Sequence, residues 1–279
     1  MVVKVKNKDT VLYTEIYENS SKETVILLHG GPGGPEDFTP IINRLKKRYQ
    51  IIYFHQRGTK NSPSASHNFE IESYIADIDS IADHFNIRQF HVFGHSWGGL
   101  YAGIYADKRT DRILSLFLCS PASGTGKQWL EMSLEVGKYN KRKSTLTEWL
   151  GMMKDSFLGS LKIDNACKKF HRQFIINCNK GHKVEPTAPA LLECVKAPGV
   201  NGLVKAVSVY EELKQLHPEF NITVTYGDDD IYGESQKYVR ERYPSAKFVQ
   251  VPNCGHMHWL HNPKVFFEQF DSHFGIREQ

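Results

Sequence analysis

The sequence lacks any apolar run that approaches the roughly 18 residues required by a membrane-spanning helix. Even the run from Ile113 to Cys119 is interrupted by Ser115. The first nine residues alternate apolar and charged or polar side chains, so they do not resemble a signal peptide. None of the five cysteines forms a Cys-x-x-Cys pair, which favours reduced thiols. These absences predict a soluble, cytoplasmic protein with no membrane partner.

An excess of charge of one sign is also missing. The chain has 35 Lys and Arg against 31 Asp and Glu, a formal net charge of +4, and its basic stretches are short and dispersed. This pattern does not predict a nucleic-acid partner. Of the 279 residues, 40% are hydrophobic and 12% are aromatic, which excludes a disordered chain and provides enough apolar area for a packed core.

Strand and helix patterns alternate along the first half of the sequence. Continuous apolar runs are typical of parallel strands that are covered on both faces, and alternating runs are typical of half-buried strands. A helical apolar period follows over 70–87. The predicted strands cover 2–6, 11–17, 24–28, 51–54, 90–93, 113–119, 220–226 and 247–251. This order predicts an α/β fold with a mostly parallel, doubly covered sheet.

The sequence changes character after Pro121. Residues 123–217 carry helical patterns, including one from Leu203 to Leu216, and no buried strand. We therefore predict a helical cap (lid) insertion at 123–217 within a core domain formed by residues 1–122 and 218–279. A closing helix is expected to begin with Asn262 as its N-cap.

The motif from Gly94 to Gly98 (Gly-His-Ser-Trp-Gly) carries the strongest chemical signal. It lies between a predicted strand and a predicted helix, where a sharp turn exposes a nucleophilic serine. Glycines two residues on either side of Ser96 let the chains pass closely. The N–H groups that follow lie at a helix N-terminus, where partial positive charge favours an oxyanion. Ser96 is the predicted nucleophile, with an ordinary tight turn as the alternative.

A serine nucleophile needs a base and an orienting acid, which follow later strands in this arrangement. Three aspartates follow strand 220–226, and Asp230 is favoured because a turn from Gly227 gives its carboxylate reach toward the histidine. Asp228 is the alternative acid.

Three histidines compete for the role of the base. His256 is favoured because it follows Gly255 in the tight loop after strand 247–251, whereas His258 and His261 approach the final helix. Their spacing does not match a zinc-hydrolase motif. We predict neither a metal nor an organic cofactor.

The loop from His29 to Pro35 (His-Gly-Gly-Pro-Gly-Gly-Pro) follows strand 24–28 and matches no phosphate-binding pattern. We interpret it as an oxyanion loop in which Gly31 supplies a backbone donor beside that of Trp97. Pro32 and Pro35 would stiffen this loop.

These motifs resemble the α/β-hydrolase fold, and more narrowly the proline iminopeptidase (prolyl aminopeptidase) family. That family combines an H-G-G-P-G loop, a D-Q-R-G string and a G-x-S-W-G turn, which read here as 29–33, 55–58 and 94–98. The resemblance covers residues 10–122 and 218–275. It implies the triad that the residues themselves favour: Ser96, Asp230 and His256. The family aspartate of D-Q-R-G is replaced by His55, and the following Gln56 and Arg57 are expected to orient neighbouring loops.

The same resemblance implies that carboxylates of the cap bind the free amine of the substrate. Cap aromatic side chains are also candidates to line the pocket. Candidate substrate-binding residues are Gly30, Trp129, Glu131, Trp149 and Glu211; further carboxylates are Glu135, Glu193 and Glu212, and further aromatics are Tyr139, Phe157 and Phe170.

The expected function is therefore that of a serine hydrolase that forms an acyl-enzyme on a small-molecule or short-peptide substrate. The favoured activity is aminopeptidase release of N-terminal residues, proline or another small apolar residue, from short peptides. An esterase or lactonase, a carbon–carbon bond hydrolase and a non-catalytic receptor are the alternatives. The sequence does not indicate the oligomeric state.

Overall fold

The computed structural model describes residues 1–20, 23–31, 33–34, 36–184 and 189–277. Its strands join into one sheet with the order β1-β2-β4-β3-β5-β6-β7-β8. The strands are β1 (Val2–Asn7), β2 (Thr10–Tyr17), β3 (Thr24–Leu28), β4 (Gln50–Phe54), β5 (Phe90–His95), β6 (Ile113–Cys119), β7 (Asn221–Gly227) and β8 (Lys247–Val251).

The sheet is parallel from β4 to β8 and antiparallel only where β2 pairs with β1 and with β4. All five residues of β3 are buried, as expected for a strand covered on both faces. The expected mostly parallel α/β sheet is confirmed.

Helices flank the sheet, and further helices lie in the chain segment between β6 and β7. They are α1 (Thr39–Leu45), α2 (Ile71–His84), α3 (Trp97–Lys108), α4 (Gly126–Lys143), α5 (Leu146–Ser160), α6 (Asp164–Asn179), α7 (Pro189–Leu192), α8 (Ala197–Val209), α9 (Gln236–Arg242), α10 (His258–His261) and α11 (Pro263–Phe274). The side chain of Asn262 accepts a hydrogen bond from the N–H of Val265, so it caps α11 as the sequence predicts. No helix in the described ranges is long and apolar enough to cross a membrane.

The described part of the chain between β6 and β7 contains α4 to α8 and no strand. That residues 123–217 form a separate cap stays a prediction. The helix predicted from Leu203 to Leu216 is wrong at its end, because α8 stops at Val209. Beyond it the backbone bonds to other elements instead: the hydroxyl of Thr125 donates to the carbonyl of Glu211 (2.6 Å), and the N–H of Leu216 donates to the carbonyl of Arg242 (2.8 Å).

A buried ion pair fastens the loop after β4 to α2. The Arg57 side chain, 1% exposed, donates from Nε and Nη2 to the two carboxylate oxygens of Asp77, each at 2.7 Å. Asn7 of β1 donates to the same carboxylate (2.8 Å), and Arg57 Nη1 donates to the carbonyl of Asn68 (2.9 Å). Strand β1, the loop after β4 and helix α2 are therefore joined at Asp77.

We expect Asp77→Asn to lower the free energy of unfolding by about 3 kcal/mol, because it removes the nearer of the two carboxylates that pair with the buried Arg57 guanidinium and leaves Asp9, at 3.6 Å, as its counter-charge. Urea unfolding measures this loss. Glu72→Gln is the matched control, since Glu72 is an exposed carboxylate on the same helix and should change stability by less than about 0.5 kcal/mol. Equal stabilities for the two variants would contradict the assignment.

Candidate active site

Ser96 lies at the junction of β5 and α3 with left-handed backbone angles, φ 55° and ψ −121°. A non-glycine residue adopts this region only when its surroundings impose it. Here the N–H of Ser96 donates to the carbonyl of Cys119 (3.0 Å), and its carbonyl accepts from the N–H groups of Gly99 (3.0 Å) and Ala122 (2.9 Å). The end of β6 and the loop that follows it therefore hold the turn that places Ser96 in the lining of a cavity.

The two motif glycines permit this turn. A Cβ at Gly98 would collide with the backbone carbonyl of Leu28, and a Cβ at Gly94 would collide with the backbone of Gly98. The close approach of β3, β5 and α3 predicted from the motif therefore exists and requires glycine at both positions.

Asp230 and His256 form a buried acid–base pair. Nδ1 of His256 lies 2.9 Å from Oδ1 of Asp230. The carboxylate also accepts hydrogen bonds from the hydroxyl of Ser120 and from the N–H of Gly227 (3.2 Å). Burial raises the pKa of Asp230. The neighbouring His256 and the hydrogen bonds lower that pKa by a larger amount, so the net pKa falls well below its usual range. Burial lowers the pKa of His256, and Asp230 offsets only part of that effect.

The alternative acid has a different position. Asp228 accepts hydrogen bonds from the N–H groups of Asn253 (2.8 Å) and Cys254 (2.9 Å). It therefore shapes the loop that carries His256, without contacting the imidazole ring.

The rings of the two alternative bases also form hydrogen bonds with other groups. The ring of His258 bonds to the hydroxyls of Thr225 (3.0 Å) and Ser120 (2.9 Å). His261 accepts a hydrogen bond from the N–H of Gly255 (3.0 Å). Among the three histidines, His256 has the short Nδ1 contact with Asp230; its use as the base stays a prediction.

Tyr232 connects the nucleophile with the histidine. Its hydroxyl lies 3.1 Å from Oγ of Ser96, and its ring lies edge-on to the His256 ring with centroids 5.4 Å apart. The hydrogen bonds of the described residues include none between Ser96 and His256. Such contacts are often loose without substrate and tighten when it binds. Sequence reasoning missed Tyr232, whose only signal is its place two residues after Asp230.

The predicted oxyanion donors lie beside the nucleophile. Gly31, at φ +50°, and Trp97 both line the cavity with Ser96. Trp97 is the first residue of α3, so its N–H has no acceptor within the helix. Gln56 connects the two sides, because its side chain donates to the carbonyl of His29 (2.7 Å) and accepts from the Trp97 indole (2.8 Å). The role of these donors stays a prediction, and Pro32 and Pro35 lie outside the described residues.

The cavity above Ser96 has a volume of about 430 Å³ and a mainly apolar lining. The predicted side chains Trp129 and Trp149 are part of it. The other apolar lining residues are Met132, Val136, Met152, Met153, Phe170, Phe174, Val204 and Ile231, and further polar ones are Ser133, Asn140, Ser156 and His171. The predicted aromatic side chains Phe157 and Tyr139 are not part of this lining. Phe157 is 64% exposed, whereas Tyr139 is buried.

The structure does not bring the candidate cap carboxylates to the cavity. Glu131 accepts from the Tyr238 hydroxyl, and Glu211 pairs with Lys108 at 3.2 Å. These two side chains lie on exposed helix or loop faces, which explains why they do not contact the cavity.

The remaining carboxylate candidates and Gly30 are also absent from the described cavity lining. Glu135 binds the N–H groups of Gly233 and Ser235 at 3.0 Å each, and Glu193 pairs with a lysine of α6. Glu212 has no place in the lining. Gly30 donates its N–H to Glu36 (2.6 Å) instead. Among the described residues, no group of three or more His, Cys, Asp or Glu side chains is arranged to hold a metal ion.

Comparison with known proteins identifies similar sequences. A model of the alpha/beta hydrolase fold matches residues 23–263. The proline iminopeptidase of Lactobacillus helveticus is 25% identical over 274 residues, which covers 89% of this chain and 88% of that protein. The proline iminopeptidase of Lactobacillus crispatus is 24% identical and covers 92% and 91%, respectively. The resemblance predicted from the motifs is confirmed.

Solved structures with the same architecture include an enol-lactonase from Burkholderia xenovorans, with a TM-score of 0.67 and 16% identity over 99% of this chain and 100% of that one. An epoxide hydrolase from hot-environment metagenomes gives a TM-score of 0.72 at 18% identity over 98% of both chains. At these identities the likeness concerns the fold, and the expected α/β-hydrolase architecture is confirmed.

The reactivity of Ser96 should depend on pH through His256. Only the neutral imidazole accepts the serine proton, and burial lowers the pKa of His256 below its ordinary 6.5. We expect the rate of labelling by a fluorophosphonate to be maximal at neutral pH and to fall only below pH 6.5. Measuring the labelling rate from about pH 5 to 9 tests this, with Ser96→Ala as the unlabelled control. A midpoint above pH 6.5 would contradict a buried histidine base, because burial moves the midpoint in the opposite direction.

Proposed function

The chain belongs to the α/β-hydrolase fold family and is a hydrolase, and we propose that it hydrolyses carboxylic esters with an uncharged, apolar acyl group through Ser96, His256 and Asp230. The observation that carries this proposal is the lining of the cavity above Ser96. Among the described residues, that lining is mainly apolar and includes no carboxylate.

Acylation begins when His256 takes the proton of Ser96 and the serine oxygen attacks the ester carbonyl. The N–H groups of Trp97 and Gly31 receive the developing oxyanion. Each such donor is worth roughly 3 kcal/mol of transition-state stabilisation. Asp230 remains ionised, holds Nδ1 of His256 and stabilises the imidazolium that forms.

The same histidine completes the cycle. It gives its proton to the leaving alkoxide, which departs as an alcohol, and then takes a proton from the water that attacks the acyl-enzyme. Collapse of the second tetrahedral intermediate releases the carboxylic acid and restores the hydroxyl of Ser96. No metal or organic cofactor is required for these steps.

The chemistry of the lining favours an apolar acyl group over a charged one. A buried ammonium without a counter-charge costs several kcal/mol. Burial of an apolar group instead contributes about 25 cal/mol for each Å² removed from water. The volume of about 430 Å³ suits a small molecule or the end of a short chain.

The aminopeptidase activity expected from the motifs is the second candidate. The full-length similarity to proline iminopeptidases favours it. In this alternative, the neutral side chains of Asn140 and Ser133 and the ring of His171 would have to receive the substrate nitrogen.

One pair of substrates separates the two candidates. Methyl cyclopentanecarboxylate and proline methyl ester have the same ring size and the same leaving group. The first has a ring CH₂ group where the second has a protonated ring nitrogen. We expect kcat/KM to be at least about tenfold higher for the cyclopentane ester, because its ring requires no counter-charge. Initial rates with purified protein measure this ratio.

Ser96→Ala is the control for both esters and should abolish both activities. A preference for the proline ester would favour the aminopeptidase. Failure of the unmodified protein to hydrolyse either ester or to react with a fluorophosphonate would overturn the proposed use of Ser96.

A further inference from the structure

A second carboxylate–histidine pair lies directly behind the nucleophile. His95 is the last residue of β5 and only 1% exposed. Its Nδ1 lies 2.8 and 2.9 Å from the two carboxylate oxygens of Glu36, and its Nε2 lies 3.0 Å from the backbone carbonyl oxygen of His256. The sequence suggested no role for either Glu36 or His95.

The partners of His95 determine its protonation. The backbone carbonyl only accepts hydrogen bonds, so Nε2 carries a hydrogen. The N–H of Gly30 also donates to Glu36, which favours an ionised carboxylate. With Glu36 ionised, Nδ1 carries a hydrogen as well, and His95 is an imidazolium paired with Glu36. The pKa directions agree with this state. Burial lowers the pKa of His95, but Glu36 raises it above its ordinary value. Burial raises the pKa of Glu36, but His95 lowers it.

Glu36 has a second contact that concerns the oxyanion loop. Its Oε2 accepts the N–H of Gly30 at 2.6 Å, and Gly30 precedes the predicted oxyanion donor Gly31. The backbone there lies close to the nucleophile, since a Cβ at Gly30 would be 2.8 Å from Cβ of Ser96. A single carboxylate thus reaches the oxyanion loop directly and the His256 loop through His95.

We propose that Glu36 and His95 form a charged positioning pair, which holds the oxyanion loop and the His256 loop against Ser96 and keeps a fixed cation beside the base. The proposal rests on the proposed function, because it assumes that Ser96, Gly31 and His256 act together. Neither Glu36 nor His95 is among the described residues that line the cavity, so both act through other residues.

The fixed cation opposes a second positive charge on His256. The two imidazole rings have centroids 4.6 Å apart. The other titratable groups around His256 are Asp230, Tyr232, Glu36, His258 and His261, and α6 contributes the neutral ring of Phe174. Asp230 favours the imidazolium of His256, whereas His95 disfavours it more than Glu36 favours it. The pair therefore helps to keep the base neutral.

Glu36→Gln tests the pair, because the amide keeps the shape of the side chain and removes its charge. His95 then loses its counter-charge and its second proton. We expect kcat for the preferred ester to fall about ten- to hundredfold with KM nearly unchanged. The backbone N–H donor of the oxyanion loop and the imidazole of His256 would shift relative to Ser96, whereas the cavity that binds the acyl group would not change. The acid limb of the kcat/KM profile should move to higher pH, because the nearest cation to His256 is lost.

Asp37→Asn is the matched control. Asp37 is the next residue, is exposed, and accepts a hydrogen bond from the N–H of Thr39 rather than from the site. It should leave kcat and the pH profile unchanged. A Glu36→Gln enzyme with unmodified kinetics would overturn the proposal. A fall in kcat with an unmoved acid limb would also overturn it, since that result describes a structural role alone.

Nitrogen-15 NMR of the unmodified protein provides a test that does not depend on a variant enzyme being active. The His95 signals, assigned as those missing from His95→Gln, should show two protonated ring nitrogens at about pH 7.5. A neutral His95 ring at that pH would overturn the pair. If the protein instead hydrolyses no ester and takes up no fluorophosphonate, the proposed function fails, and the NMR signals still decide whether the pair is charged.

Discussion

The active-site arrangement depends on the left-handed backbone at Ser96. This conformation costs about 1–3 kcal/mol for a residue with a side chain. It persists because the last residue of β6 accepts from the N–H of Ser96 and the loop after β6 donates to its carbonyl. The sharp turn places Trp97 at the start of α3 and Ser96 in the cavity, while His95 remains buried behind them. One strained residue thus separates the side chains that line the cavity from the histidine buried behind them.

The parts of this arrangement that follow local rules could be predicted from the sequence. Continuous apolar runs located β3, β4, β5 and β6 to within one or two residues, because a strand covered on both faces has no exposed positions to break the run. The close approach of backbones at Gly94 and Gly98 was predicted from the motif, because only a residue without a side chain fits at such a crossing. Asp230 and His256 were favoured by chain order and loop geometry, and the structure brings those two side chains to 2.9 Å.

Other features depend on contacts between distant residues, for which a single sequence provides no signal. Glu36 and His95 are separated by 59 positions, and no motif connects them. The early end of α8 has the same cause, since the apolar period continues past Val209 but tertiary hydrogen bonds compete for the backbone. The cap carboxylates were chosen by location alone. A helical pattern does not determine which face of a helix meets a cavity, so the sequence provided no means of seeing that Glu131 and Glu211 lie away from it.

The two histidines on either side of Ser96 show how surroundings assign opposite proton states to the same ring. Each has a carboxylate on Nδ1: Glu36 for His95 and Asp230 for His256. They differ at Nε2. In His95 this nitrogen meets a carbonyl, which can only accept, so the ring must keep both hydrogens. In His256 no hydrogen bond of Nε2 forms among the described residues, so nothing there stabilises a second hydrogen and burial favours the neutral ring. A base must be neutral before it reacts and a fixed charge must not titrate; the group that faces Nε2 therefore favours the role proposed for each histidine.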